Sequence, residues 1–173
     1  MPIPDCIEGP DGYPVLPVGR HKATLAEVEE RFVDSRPDAA DRREIFDDWL
    51  AFRDMQNQVG ISVRAYWLNG GFITEKNGTS DIDFVTVIDG ASPPPPDIQA
   101  ALPWVDPGRL YQQQPAPVLG RTLRVDAYAM VKVGHAHPAA VKYAANYKYW
   151  DEWFRTLEVT GSGLVKGFVE VQP

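Results

Sequence analysis

Apolar residues recur at two periods along this chain. From Ala39 to Gln58 they fall near every third or fourth position, with Ile45, Phe46, Trp49, Leu50 and Phe52 on one stripe and Gly60 just beyond. That spacing predicts a long helix closed by a glycine. Ahead of it, Thr24-Leu25-Ala26-Glu27 has a side-chain oxygen first and Glu three positions later, the capping-box pattern, so a short helix to about Val33 is expected. Val63 to Leu68 and Ile82 to Ile88 are apolar runs of strand length. Thr122 to Val133 alternates, with Leu123, Val125, Ala127, Ala129 and Val131 on one face and Arg124, Asp126, Tyr128, Met130 and Lys132 on the other. Pro138 suits a first helical turn. The helix expected after it, to about Leu157, carries Tyr143, Tyr147, Trp150 and Phe154 at helical spacing. Leu164 to Val171 reads as a final strand, and Ile98 to Leu102 as a turn or two of helix.

These elements predict an α/β (α+β) domain with a small mixed sheet and helices packed on one face. Residues 1–22, rich in proline and glycine, are expected to form an extended arm, and residues 23–173 a single domain. The polyproline stretch Ser92 to Pro96 and the polar stretch Gln112 to Pro117 read as loops.

Composition narrows the class. The hydrophobic fraction of 44% excludes a chain disordered throughout. No apolar run is long enough for a membrane helix, and Asp5 and Glu8 interrupt the place where a signal peptide would have its apolar core. The single cysteine, Cys6, has no partner for an internal disulfide. A cytoplasmic protein without a membrane partner is expected. The net charge of −7 argues against a protein that coats nucleic acid. The charge is uneven: residues 1–106 carry 9 Lys+Arg against 19 Asp+Glu, a net of −10. Residues 107–150 carry six basic residues against Asp126 alone, a net of +5. That segment is either a chance segregation on a solvated surface or a basic wall facing a polyphosphate.

The candidate chemistry sits between the two apolar strands. The first ends at Asn69-Gly70-Gly71, where the backbone can turn tightly and approach a ligand. Nine residues after Gly71, the second opens with Ser80-Asp81-Ile82-Asp83. Alternate residues on a strand share a face, so Asp81 and Asp83 aim together while Ile82 points inward. Paired hard oxygens suit Mg²⁺, which keeps waters and takes up phosphate oxygens. Asp126 stands in an otherwise strand-like segment, where Asp is disfavoured, so a third carboxylate facing the pair is expected.

Gly70-Gly71, this gap, Asp81-Ile82-Asp83-Phe84 and a later strand Asp resemble the pattern of the nucleotidyltransferase superfamily that includes DNA polymerase beta. The small size is similar to its minimal members, such as bacterial nucleotidyltransferase antitoxins. The resemblance covers residues 63–88 and extends to 122–133. It implies that Gly70 and Gly71 hold nucleotide phosphates, that Asp81 and Asp83 bind Mg²⁺ (or Mn²⁺), and that Asp126 assists the attacking hydroxyl and shares the metal site. It further implies a nucleoside triphosphate as substrate and a hydroxyl of a short RNA, a protein or a small molecule as acceptor. Many members carry Ser where this chain has Gly71, so one hydroxyl contact to phosphate is missing. The alternative is a catalytically weak interaction module that works with a partner protein, as in toxin–antitoxin or phage-defence pairs.

Three candidates carry less weight. Ser80 can hydrogen-bond Asp81 or a phosphate, or simply end the loop. Lys132 shares Asp126's strand face and can meet a triphosphate, or is a solvated strand end. The aromatic residues Tyr143, Tyr147, Trp150 and Phe154 can stack a base, but core packing is the favoured reading of their spacing.

Overall fold

The longest helix lies where the apolar stripe puts it. In the computed structural model of the protein, which describes residues 2–91, 109–112, 115–116, 121–138, 140–156 and 166–173, helix α2 spans Ala39–Gln58. It buries Ile45, Phe46, Trp49, Phe52 and Met55. Helix α1, Leu25–Glu29, begins at the Thr24–Glu27 capping box and continues as one wide turn, Glu30–Asp34.

The sheet is mixed. Its strands are β1 (Gly19–Ala23), β2 (Val63–Asn69), β3 (Ile82–Asp89), β4 (Arg109–Gln112), β7 (Val125–Lys132) and β8 (Gly167–Val171). They lie in the order β1-β8-β2-β3-β7-β4. The short strands β5 (Pro115–Ala116) and β6 (Arg121–Thr122) form a separate pair. β3 runs parallel to β7 and antiparallel to β2, while β8 runs antiparallel to β2 and parallel to β1. The α+β class expected from the sequence is the one observed.

Helices cover both faces of this sheet rather than one. Tyr66, Leu68, Ile82, Phe84, Val125 and Ala127 pack with α1 and α2. On the other face, Trp67, Val85, Val87, Met130 and Phe168 pack under helix α3 (Ala140–Trp153) through Tyr147 and Trp150, and with Phe154 just beyond it. The physical reason is visible in β2 and β3, whose runs Ala-Tyr-Trp-Leu and Phe-Val-Thr-Val are apolar on both sides and require cover on both.

The sheet also begins earlier than expected. β1 falls at the end of the stretch read as an arm and is an edge strand on β8. Its polar residues, Arg20, His21 and Lys22, hide it from a hydrophobic pattern. Upstream, Ile7 bridges Val15, and Val15 and Leu16 are buried. No helix among the described residues is long and apolar enough to cross a membrane. The expected helix at Ile98 to Leu102 and the Ser92–Pro96 loop lie outside the described residues, as do the ends expected at Leu157 and Leu164.

Candidate active site at the end of the central strands

Strand pairing assembles the site. Asp83 on β3 and Asp126 on β7 are direct partners in a parallel register. On the other side of β3, Asn69 is the direct antiparallel partner of Asp83. Residues paired across neighbouring strands share a face at a spacing of about 4.8 Å. Asn69, Asp83 and Asp126 therefore form one polar row on the α3 face, at the edge of its apolar cluster. Both carboxylates are half-buried and Asn69 is buried. The Tyr128 hydroxyl donates to Asp126 Oδ2 at 2.9 Å, and its ring lies against Trp150. Asn69 Oδ1 is buried and has no hydrogen-bond partner among the described residues.

Gly70 closes this row. It has φ 75° and ψ −166°, a conformation that residues with side chains rarely adopt. A Cβ placed on it would lie 2.1 Å from Asp83 Oδ2. The Asp83 carboxylate thus rests against bare backbone. Gly71 differs, because it begins a single 3₁₀ turn, Gly71–Ile73, and its Cβ would approach Thr79 Oγ1 at 3.1 Å.

The loop from Gly71 to Ser80 is gripped by the start of α2. Arg42, fully buried, donates to the carbonyls of Phe72, Thr74 and Lys76 at 2.5, 3.3 and 2.6 Å, and to Phe32 at 3.0 Å. Its Nε pairs with Asp38 Oδ1 at 3.0 Å, and Asp38 Oδ2 accepts the Gly78 N–H at 3.0 Å. Arg36 reaches the Glu75 carbonyl at 2.7 Å. Burial pushes the Asp38 carboxyl upward, but the Gly78 N–H and the Arg42 guanidinium outweigh it and hold it below the usual aspartate value. Sequence reasoning missed these three residues. The available signal was Asp38 and Arg42 four apart at the start of a helix, but the pair does not stand out among Asp41, Arg43, Glu44, Asp47 and Asp48.

The family model that matches residues 10–172 is described as a family of unknown function, DUF6932. The chain belongs to this family. No curated protein and no solved structure gives a match. The matched segment contains every candidate residue from Gly70 to Lys132.

The remaining candidates divide. Ser80 lies beside Asp81 and donates to its Oδ1 at 3.3 Å. Asp81 is half-buried and precedes the first residue of β3. Asp83 and Asp126 thus stand together in one row, with Asp81 two residues before Asp83; among the described residues no three His, Cys, Asp or Glu side chains form a metal-binding group.

Lys132 does not join this site. Its backbone register partner is Asp89, at the far end of β7, six residues and so about 20 Å from Asp126. Sharing a strand face did not make the two neighbours. Of the basic segment's described side chains, Arg124 pairs with Glu44 and approaches Asp48, and Lys148 pairs with Glu152. Of the aromatic residues, Phe154 is buried, Trp150 packs on Tyr128 and Tyr147 on Trp67, so these three pack on the sheet, whereas Tyr143 lies beside His137.

Proposed function

We propose that this protein is an Mg²⁺-dependent nucleotidyltransferase that moves a nucleoside monophosphate from a nucleoside triphosphate to a hydroxyl of RNA, protein or a small molecule. The observation that carries the reading is the direct pairing of Asp83 with Asp126, on one face, beside a glycine turn whose bare backbone leaves room for a carboxylate.

The residues fit a magnesium ion. Asp83 and Asp126 offer neighbouring hard oxygens, and Asn69 Oδ1, in the same row, is a buried acceptor with no hydrogen bond among the described residues. Asp81 stands two residues before Asp83 and would complete the set. Two or three protein oxygens are enough, because this ion retains waters and takes phosphate oxygens as ligands. When bound, such an ion neutralises phosphate charge and stabilises the leaving pyrophosphate oxygen.

The chain's own groups supply position. The Gly70–Gly71 turn allows a phosphate to approach backbone N–H groups without a side chain intervening. The grip of Arg42, Asp38 and Arg36 keeps that turn in place, which is preorganisation in the sense that the geometry exists before substrate arrives. Asp126 can accept the proton of an attacking hydroxyl. The Tyr128 hydroxyl orients its carboxylate.

A second reading keeps the fold as a partner-binding module without turnover. Val141, Tyr149 and Trp153 are exposed on α3 and favour it. Titration calorimetry of wild type and Asp83→Asn with each nucleoside triphosphate plus Mg²⁺ or Mn²⁺ tests the first reading. Asp83→Asn keeps the shape and removes one charge, so binding should be lost while the fold remains. Equal affinity for the two proteins sinks the metal role. Nucleotide binding without any labelled product, from lysate or added acceptors, favours the second reading.

A further inference from the structure

At the opposite end of the same sheet face lie two adjoining cavities of about 380 and 290 Å³. Lys132 and Tyr147 line both and form the wall between them. The two differ in character. The larger is floored by Ala65, Val87 and Trp67 and rimmed by charge, but that charge is internally matched. Arg64 pairs with Asp89 at 3.0 Å, and Glu170 pairs with Arg20 at 3.4 Å and accepts the Trp67 indole N–H at 2.9 Å. The smaller is mostly apolar, lined by Val133, Ala140, Ala144 and the Tyr143 and Tyr147 rings, with His135 at its edge besides Lys132.

Lys132 stands between them unmatched. Its ammonium lies 5.2 Å from the centre of the Tyr147 ring, the side chain is exposed, and among the described residues no carboxylate pairs with it. Tyr147 is already fixed in orientation. Trp67 meets it edge-on at 4.8 Å, and the Arg20 guanidinium lies 5.6 Å from its centre and bonds its hydroxyl. Tyr143 sits one helical turn earlier on the same side of α3. A cation beside a braced aromatic wall, opening onto an apolar cavity, suits one ligand chemistry. The charged head meets the ammonium and a flat apolar body lies along the two tyrosines.

We propose that this groove binds an aromatic carboxylate, its acid group on Lys132 and its ring between Tyr143, Tyr147 and Ala144. The wall is rigid before the ligand arrives, which limits the ordering cost of binding. The groove is about 20 Å along β7 from Asp126, too far for a ligand held here to touch the carboxylate row. The inference is therefore independent of the nucleotidyltransferase reading.

The test uses the full chain and 2-naphthoate as probe, followed by two-dimensional amide NMR, with the neutral 2-naphthamide and inorganic phosphate as comparisons. Naphthoate should shift the Trp67 indole signal and the amides of Val133 and Ala144, and bind about tenfold more tightly than naphthamide, as loss of one charge-assisted contact implies. Lys132→Gln should bring the two probes to equal affinity. Ala144→Phe should fill the apolar cavity and abolish naphthoate binding without lowering the melting temperature, since Ala144 is exposed. Phosphate should not compete. Equal affinity of the two probes for wild type, unchanged naphthoate binding in Lys132→Gln, shifts located elsewhere, competition by phosphate, or no shift at millimolar probe would each overturn the proposal.

Discussion

The Asp83 carboxylate occupies the space where Gly70 would carry a side chain, with Oδ2 only 2.1 Å from the position of that absent Cβ. The last residue of the turn's approach and the central carboxylate are thus a single steric unit. A change at one is a change at the other.

Gly70→Ala should accordingly do two things. This combination of positive φ and extended ψ is essentially confined to glycine and costs about 1–3 kcal/mol for a residue with a Cβ. The new methyl also expels the Asp83 carboxylate from its seat. The melting temperature should fall by several degrees, since about 1 kcal/mol corresponds to roughly 2–4 °C at this chain length. On the nucleotidyltransferase reading, binding of Mn²⁺ with nucleotide should be lost altogether. A calorimetric melt and a paramagnetic relaxation titration of Mn²⁺ measure the two effects separately. Retained Mn²⁺ binding would detach Asp83 from the proposed metal site.

Gly71 tells a different story, because its φ is not positive and its Cβ would find Thr79 Oγ1 at 3.1 Å, a contact that a small shift of Thr79 relieves. Gly71→Ser should fold nearly as well as wild type. On the nucleotidyltransferase reading the added hydroxyl strengthens nucleotide binding, by no more than about a hundredfold, given roughly 1.5–3 kcal/mol for a hydrogen bond to a charged group. Gly71→Val should lose binding through its branched Cβ. A well-folded Ser variant that binds nucleotide tenfold worse would remove the phosphates from this turn.

Acid should loosen the loop before it unfolds the domain. The Asp38 carboxyl is held below its ordinary value by the Gly78 N–H and Arg42, against the opposing effect of burial. A depressed pKa contributes stability that is fully present above the unfolded-state value and disappears as pH falls through the folded one. Amide exchange at Gly78 should therefore exceed the ordinary intrinsic trend once pH drops below the usual aspartate range. Asp38→Asn should show fast exchange at neutral pH already, with no further acid step. An identical acid profile in the variant would mean that another group controls the loop.

The sequence exposed this site to the extent that strand parity governs it. Asp81 and Asp83 were readable as same-face residues, and α2 as an uninterrupted helix, because each depends only on local spacing; that Asp126 faces Asp83 rests on the register of β7 against β3, which spacing within one strand does not fix. Lys132 shows the limit: it has the right parity, but parity carries no information about the rise of about 3.3 Å per residue that takes it away from Asp126. β1 was illegible because its pairing partner, β8, lies at the other end of the described chain, and its own residues are polar. The Arg42 grip was illegible for a related reason. A fully buried arginine bonded to four carbonyls looks, in one dimension, like any charged residue on a helix surface.

The position of β8 between β1 and β2 has a consequence for synthesis. β1 emerges from the ribosome first and finds no neighbour, because its partner is made after α3. β2 emerges with one side able to pair with β3 and the other side open until the same late strand arrives. An open strand edge invites pairing with other chains. The interval in which β2 is vulnerable is thus set by the pace of translation from β3 to β8, and codons in that interval bear on whether the sheet closes on itself or on a neighbour.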